Sequence, residues 1–273
     1  MPDPARLALN QITTKSWTLA QAIEGCARHG VRGISIWRDK LQEMGLAEAR
    51  RAVRAQGLAV TGVCRGGMFT HADASGRKAS RDDNARAVEE AHELGAQCLI
   101  LVVGGLPGGS KDLASAREQV REGIAAMHEQ ARAAKVPLAI EPLHPMQAPD
   151  RACVNTLDQA LDLCDALGPG VGVAVDVYHV WWDPNLERAI RRAGKERLLA
   201  YHICDWLVPT RDTAFDRGMM GDGVIDLPRI RGWMEAAGYD GMHEVEIFSA
   251  ADWWKRDPDE VMRILKGRHL AVT

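Results

Sequence analysis

Four polar residues interrupt otherwise apolar runs of this chain: Glu141 in AIEPLHP, Asp176 in VAVDVYH, His202 in AYHICD and Glu246 in HEVEIF. Each sits late in a β-branched or aliphatic stretch, where a charged group would be buried. Burying an unpaired carboxylate is costly or forces a large upward pKa shift, and carboxylates held side by side also repel. A divalent cation removes both objections at once. Three carboxylates with one imidazole form an oxygen-rich set that suits manganese, magnesium or cobalt better than a structural zinc, which prefers thiolates.

The segments that carry these residues must bring them together. Candidate strands are RLALNQIT (6–13), GISIW (33–37), AVTGVC (59–64), CLILVV (98–103), PLAIEPL (137–143), VGVAVDVYH (171–179), LLAYHICD (198–205) and GMHEVEIF (241–248). Helical periods lie near 18–29, 46–56, 81–94, 111–134, 156–167, 185–193, 227–237 and 258–266. Thr18, Ser80, Ser110 and Asn155 suit N-caps, and Pro184 and Pro258 suit first turns. Gly30, Gly57, Gly95, Gly168, Gly194, Gly238 and Gly267 follow helices as a left-handed C-terminal cap prefers, and the remaining helix ends at Lys135.

Strict alternation of apolar strands with helices, in eight units over roughly 250 residues, predicts an α/β fold with one (β/α)8 TIM barrel spanning residues 1–273. A doubly wound sheet would show a Gly-rich phosphate loop after its first strand, and NQITTKS offers none. GGLPGGS (104–110) lacks a Walker lysine pair and reads as a flexible loop. In a TIM barrel the active site lies at the carboxyl ends of the strands, so Glu141, Asp176, His202 and Glu246, from strands five to eight, fall at the catalytic end.

With 34 Lys+Arg against 37 Asp+Glu and a net charge of -3, the chain has no basic surface suited to nucleic acid. It has no apolar run long enough for a membrane span. Cys26, Cys64, Cys98, Cys153, Cys164 and Cys204 form no C-x-x-C pair, as expected of buried thiols in a reducing compartment. The start, MPDPARLALNQ, lacks the basic and apolar stretches of a signal peptide, so a cytoplasmic location is expected.

The sequence resembles the sugar phosphate isomerase/epimerase superfamily, the xylose isomerase-like TIM barrels, which include ketose 3-epimerases, hydroxypyruvate isomerases and inosose dehydratases. The resemblance rests on Glu141 in I-E-P, the D-x-x-H of Asp176 and His179, the H-x-x-D of His202 and Asp205, the G-D-G-x-I-D of 221–226, and the G-Y-D-G of 238–241 leading to Glu246. It implies that Glu141, Asp176, His202 and Glu246 hold a divalent metal, manganese before magnesium or cobalt, and that Glu141 and Glu246 move protons. It also implies a small sugar substrate and a homo-oligomer or partner subunit. It does not fix the reaction, because a shared fold hosts several chemistries.

A metal that chelates a carbonyl and its neighbouring hydroxyl acidifies the adjacent C–H and stabilises an enediolate. The leading expectation is therefore a metal-dependent sugar isomerase or epimerase with Glu141 and Glu246 as base and acid. A lyase on a keto-sugar or 3-keto-glycoside is the alternative, since the same carbanion could expel a substituent. His144, three residues after Glu141, raises that alternative as an additional catalytic acid or base; otherwise it turns the EPLHP loop. Apurinic endonucleases share the barrel, but that variant needs a further histidine after the His202 position, and none occurs between residues 203 and 242.

His179, Asp205 and an arginine after His202 are expected at the substrate, with Arg211 taken for that arginine and Arg217 competing for the role. Glu244 is expected one layer deeper, partnered by Arg or Lys, with His243 outward against a helix and His71 in a polar loop. Finally, eight Trp against three Phe and three Tyr is an odd balance for a core. Trp37, Trp181, Trp182, Trp206, Trp253 and Trp254 all follow strands. They predict an aromatic-walled mouth better suited to a cyclic or aryl-bearing sugar than to a small phosphorylated one, with Trp37, Trp181 and Trp206 against the substrate.

Overall fold

The alternating periods close into a barrel. The computed structural model describes residues 2–273. Its barrel strands are β1 (Leu7–Asn10), β2 (Gly33–Trp37), β3 (Ala59–Gly67), β4 (Leu99–Val102), β5 (Leu138–Ile140), β6 (Val171–Asp176), β7 (Leu198–Ile203) and β10 (His243–Val245). All neighbours are parallel, and β10 closes the ring between β7 and β1. Two short strands outside the barrel, β8 (Asp205–Trp206) and β9 (Arg217–Gly218), form an antiparallel pair.

The helices are α1 (Leu19–His29), α2 (Arg38–Met44), α3 (Leu46–Ala55), α4 (Ala74–Leu94), α5 (Leu113–Ala133), α6 (Leu157–Leu167), α7 (Val177–Val180), α8 (Leu186–Arg197), α9 (Leu227–Ala236) and α10 (Pro258–Val272). Large aliphatics such as Leu9, Ile34, Leu101, Ile140 and Val173 face the helix ring and are fully buried. Each such side chain stabilises the fold by about 1.5–3 kcal/mol. Small side chains fill the barrel interior, where Cys98, Ala139, Ala174 and Ala200 pack around Ile100. All six cysteines are buried and free. No helix among the described residues is long and apolar enough to cross a membrane.

Thr18 caps α1 in a full capping box, and Gly30 and Gly95 end α1 and α4 in the left-handed conformation. Pro258 opens α10, and Gly57, Gly168 and Gly238 follow α3, α6 and α9 with positive φ, while other cap assignments shift. Asp73 caps α4, leaving Ser80 inside it, and Asp112 and Thr156 replace Ser110 and Asn155. Gly267 lies inside α10 rather than after it. Lys135, after the helix with no glycine, itself takes a positive φ of 58°. The first turn after β2 is helical (α2), and the predicted sixth strand stops at Asp176, where α7 begins.

Candidate metal centre

Register aligns the polar positions. Asp176 on β6 pairs with His202 on β7, and His202 pairs with Glu244 on β10. Glu141 and Glu246 lie one residue past the ends of β5 and β10, and their N–H groups still reach the carbonyls of Leu101 and Ile203 at 3.1 Å each. The strand ends therefore fix all four backbones at one level. One ligating atom from each of Glu141, Asp176, His202 and Glu246 lies within 4.8 Å of the others, and all four residues are buried.

The polar satisfaction of this group is incomplete in a specific way. Both ring nitrogens of His202 and Oε1 of Glu141 are buried without a hydrogen-bond partner. His202 Nδ1 lies 2.9 Å from Glu141 Oε1 and 3.5 Å from Glu246 Oε2, close but not in hydrogen-bond geometry. Buried polar atoms are nearly always satisfied, so the facing pair His202 Nδ1 and Glu141 Oε1 calls for a proton or a group that takes lone pairs, while Nε2 faces Glu244 at 3.4 Å. Burial would depress His202, but Glu244, Glu246 and Glu141 outweigh it and pull it well above its ordinary value. The surroundings demand positive charge there, from a proton or from a cation. The donor set, three carboxylates and an imidazole, fits a divalent ion.

Arg217 supplies the remaining cation. Its Nη1 donates to Asp176 Oδ2 at 2.8 Å and to Glu246 Oε2 at 3.0 Å, and its guanidinium lies over Tyr178 and Phe248 at 4.5 and 4.9 Å. Burial raises Glu246, yet Arg217 and His202 outweigh it and hold it below the usual carboxylate range. Glu141, farther from Arg217, is pushed up by burial. Asn10, absent from the sequence expectations, bridges the two layers by donating to Glu244 Oε1 at 2.7 Å and Glu246 Oε1 at 2.9 Å.

Several expected positions move. Arg211 is exposed and held by Asp216, so Arg217 is the arginine that enters the site. Asp205 is buried and accepts the N–H groups of Trp206, Gly221, Gly223 and Ile225 at 2.9–3.0 Å, which locks the 221–226 loop and leaves no atom for substrate. Gly223 is required there, because a Cβ would meet the carbonyl oxygen of Trp206 at 2.1 Å. His144 accepts the N–H of Met146 at 3.3 Å, stacks on Trp206 at 5.0 Å and does not line the cavity, so it turns the loop rather than facing the reacting atoms. Glu244 is partnered by Asn10, by Thr61 at 2.6 Å and by His202 at 3.4 Å, not by Arg or Lys.

His179 does line the cavity, buried, with Nδ1 accepting the N–H of His144 at 3.1 Å and Nε2 3.1 Å from Arg217 Nη2. Burial drives its pKa down to about 3, so the ring is neutral. His243 packs outward on His269 of α10, and His71 contacts the Met68 carbonyl at the rim of an outer groove. Of the tryptophans, Trp37 walls the cavity beside Phe248 and donates to Asn10 at 2.8 Å. Trp206 packs in tilted contacts on both Trp181 and Tyr178, while Trp182 and Trp254 donate to backbone carbonyls. Most indoles thus staple the loops instead of lining an open mouth.

The cavity above Glu141 and Glu246 has a free volume of about 20 Å³, room for a water or an ion rather than a sugar ring. Ala214 and Gln147 line it, and Gln147 Nε2 ties the two loops by donating to the Thr213 carbonyl at 3.2 Å. Trp37, Cys64 and Arg65 also line a larger outer groove of about 510 Å³.

A family model described as xylose isomerase-like TIM barrel matches residues 23–266. The chain belongs to this family. Among solved structures, this xylose isomerase-like barrel is similar to protein SMc04130 from Sinorhizobium meliloti 1021, at 60% identity and a TM-score of 0.97 over 99% of both chains. It shares its fold with the IOLI protein, solved with a zinc atom bound, at 20% identity and a TM-score of 0.85 over 98% of this chain and 97% of that one. The 3-keto-D-glucoside 4-epimerase YcjR from E. coli shares the fold at 19% identity and a TM-score of 0.76, over 96% and 97% of the two chains. No curated protein sequence matches the chain.

Proposed function

We propose that this barrel is a divalent-metal-dependent sugar isomerase or epimerase, acting on a ketose or related polyhydroxy carbonyl compound through an enediolate. The observation that carries the reading is the unpartnered His202 ring among three buried carboxylates. Glu141, Asp176, His202 and Glu246 would hold the ion, with manganese preferred by the donor set and magnesium or cobalt as the other fits. Such an ion, when bound, polarises a carbonyl and makes the neighbouring C–H acidic.

The remaining tasks fall to the chain itself. Glu141 and Glu246 rise from different strands, so a carbon held between them would have one carboxylate to take its proton and another to return it. Arg217 keeps Glu246 ionised and fixes the orientation of Asp176. Trp37 and Phe248 exclude water from the reacting face, which strengthens every charge interaction there. A sugar must part the contact between Gln147 and Thr213 to enter. The zinc atom bound in the IOLI structure supports a metal in a barrel of this fold, and the name of YcjR supports epimerisation of a keto-sugar as a chemistry compatible with the fold.

A dehydratase or an eliminase on a keto-glycoside would share the first proton abstraction and differ in what leaves. Its separate support was His144 as an acid, and that side chain faces Trp206 instead. The test is incubation of the manganese-loaded protein with a panel of ketoses and 3-keto-glucosides in deuterated water, followed by carbon NMR. Deuterium at the carbon next to the carbonyl, with the carbon skeleton and substituents retained, is expected. Release of water or of an aglycone would move the protein to the lyases, and a metal content of zero after purification and reloading would remove the proposal altogether.

A further inference from the structure

We propose that the substrate carries an anionic group, a carboxylate or a phosphate, and that Arg65 and Arg151 form its subsite. The inference deepens the sugar-site reading and rests on it for the identity of the rest of the molecule. Both arginines line the cavity together with Glu141, Glu246 and Arg217. The three cations are treated very differently by the fold. Arg217 is answered by Asp176 and Glu246. Arg38, on the neighbouring groove, is answered by Asp83 and Glu90. Among the described residues, no carboxylate lies within the 4.0 Å ion-pair distance of Arg65 or Arg151, and neither side chain makes a hydrogen bond to the protein.

Both side chains are half-buried rather than splayed into solvent. Arg65, Arg151 and Arg217 line one cavity, and burial with repulsion from Arg65 and Arg217 lowers the Arg151 pKa despite the opposing pull of Glu141 and Asp150. Partly desolvated cations gathered in one cavity without a carboxylate in ion-pair contact are unfavourable, and an anion relieves that cost. The planar guanidinium fork matches carboxylate and phosphate equally well. Gln147 lines the same cavity, and its buried Oε1, without a partner while Nε2 donates to the Thr213 carbonyl, can accept from a hydroxyl of the sugar rather than from its anionic group. Arg65 lines both the inner cavity and the outer groove, so it stands on the path by which a substrate would reach Glu141 and Glu246.

The test is calorimetric titration of the manganese-loaded protein with 5-keto-D-gluconate, D-fructose 6-phosphate, D-fructose and inorganic sulfate, repeated on Arg65→Met, Arg151→Met, the double variant and Arg65→Lys/Arg151→Lys. At least one anionic sugar should bind about tenfold or more tighter than D-fructose, each methionine variant should weaken it about tenfold, and D-fructose should be unaffected, a factor of ten being about 1.4 kcal/mol. Which anion binds separates carboxylate from phosphate. Sulfate binding that is lost in the double methionine variant and retained in the lysine pair supports the subsite even if no sugar binds or turns over, an outcome that would count against the sugar reading alone. Equal affinities for D-fructose and both anionic sugars, or sulfate affinity untouched by the double variant, overturns the subsite. Melting temperatures of all variants control for folding, and the single variants keep the test valid if the double variant unfolds.

Discussion

Two layers of carboxylate sit inside this barrel, separated by two residues of one strand, and they are built for opposite purposes. In the deeper layer Glu244 is surrounded by donors: Asn10 and Thr61 bond its two oxygens, and His202 lies beyond them. In the layer above, Glu141 and His202 keep buried atoms with no partner, and Glu246 is shared between Asn10 and Arg217. The deeper layer is closed and supports the fold. The upper one is left open toward a common point, which is where a cation and then a substrate can be received. Burial alone does not distinguish them, since all these residues are buried; the distribution of hydrogen-bond partners does.

That contrast can be broken most strongly at Glu246. Replacing it with Gln should lower turnover by about 10³-fold or more, within the range of a lost acid/base group, with bound metal reduced and the melting temperature close to wild type. Retained turnover would dissolve the distinction between the layers. Asn10→Ala removes the link between them, and metal titration should show an affinity loss of about 10- to 100-fold, as for other outer partners of metal ligands. Thr61→Val acts on the closed layer only. Urea unfolding should register about 1–3 kcal/mol of lost stability from the unsatisfied Glu244 oxygen, with turnover much less affected. A large kinetic effect there would show that the deeper layer also tunes the chemistry.

A smaller effect is expected at the outer face of the same strand. His243 and His269 meet at 3.0 Å, and burial holds them down to about 3 and about 4. Both are neutral when folded and titrate near 6.5 when unfolded, so the unfolded chain binds more protons as pH falls. The stability they contribute is complete above about pH 6.5 and declines toward about pH 4, and a His243→Phe/His269→Leu variant should show a flatter urea midpoint between about pH 7 and 5. The smallest change is expected for His144→Ala, with turnover altered by less than about tenfold; a loss of about 100-fold or more would restore it as an acid or base.

The barrel and the four clustered positions are legible because both depend on local pattern: a polar residue ending an apolar run is visible without any knowledge of its neighbours. Asn10 ends LALN by the same rule and was passed over, since an amide carries no charge to attract attention. Arg211 and Arg217 could not be separated, because the choice depends on how β9 pairs with β8 and on Asp216 capturing the nearer arginine, both long-range events. Asp205 was misread for a related reason: its four backbone partners lie up to twenty residues away. Arg65 and Arg151 belong to no motif in the sequence, and only their shared cavity and the lack of an ion-pair partner in space mark them. The tryptophan count marks the strand-end face of the barrel, where Trp37 lines the cavity and most other indoles pack the loops.

The clamp at Asp205 and the β8–β9 pair has a consequence for how such a barrel can diversify. The chain from Leu207 to Asp216 leaves and returns through a two-stranded gate whose far side is pinned by the 221–226 loop, so Arg217 is delivered to Asp176 and Glu246 from a fixed post. The loop between can lengthen, shorten or exchange its residues, and with them the roof at Thr213 and Ala214, without the arginine shifting its aim. Sequence change can therefore rewrite this one interchangeable segment while the cluster of Glu141, Asp176, His202 and Glu246 beneath it is inherited intact.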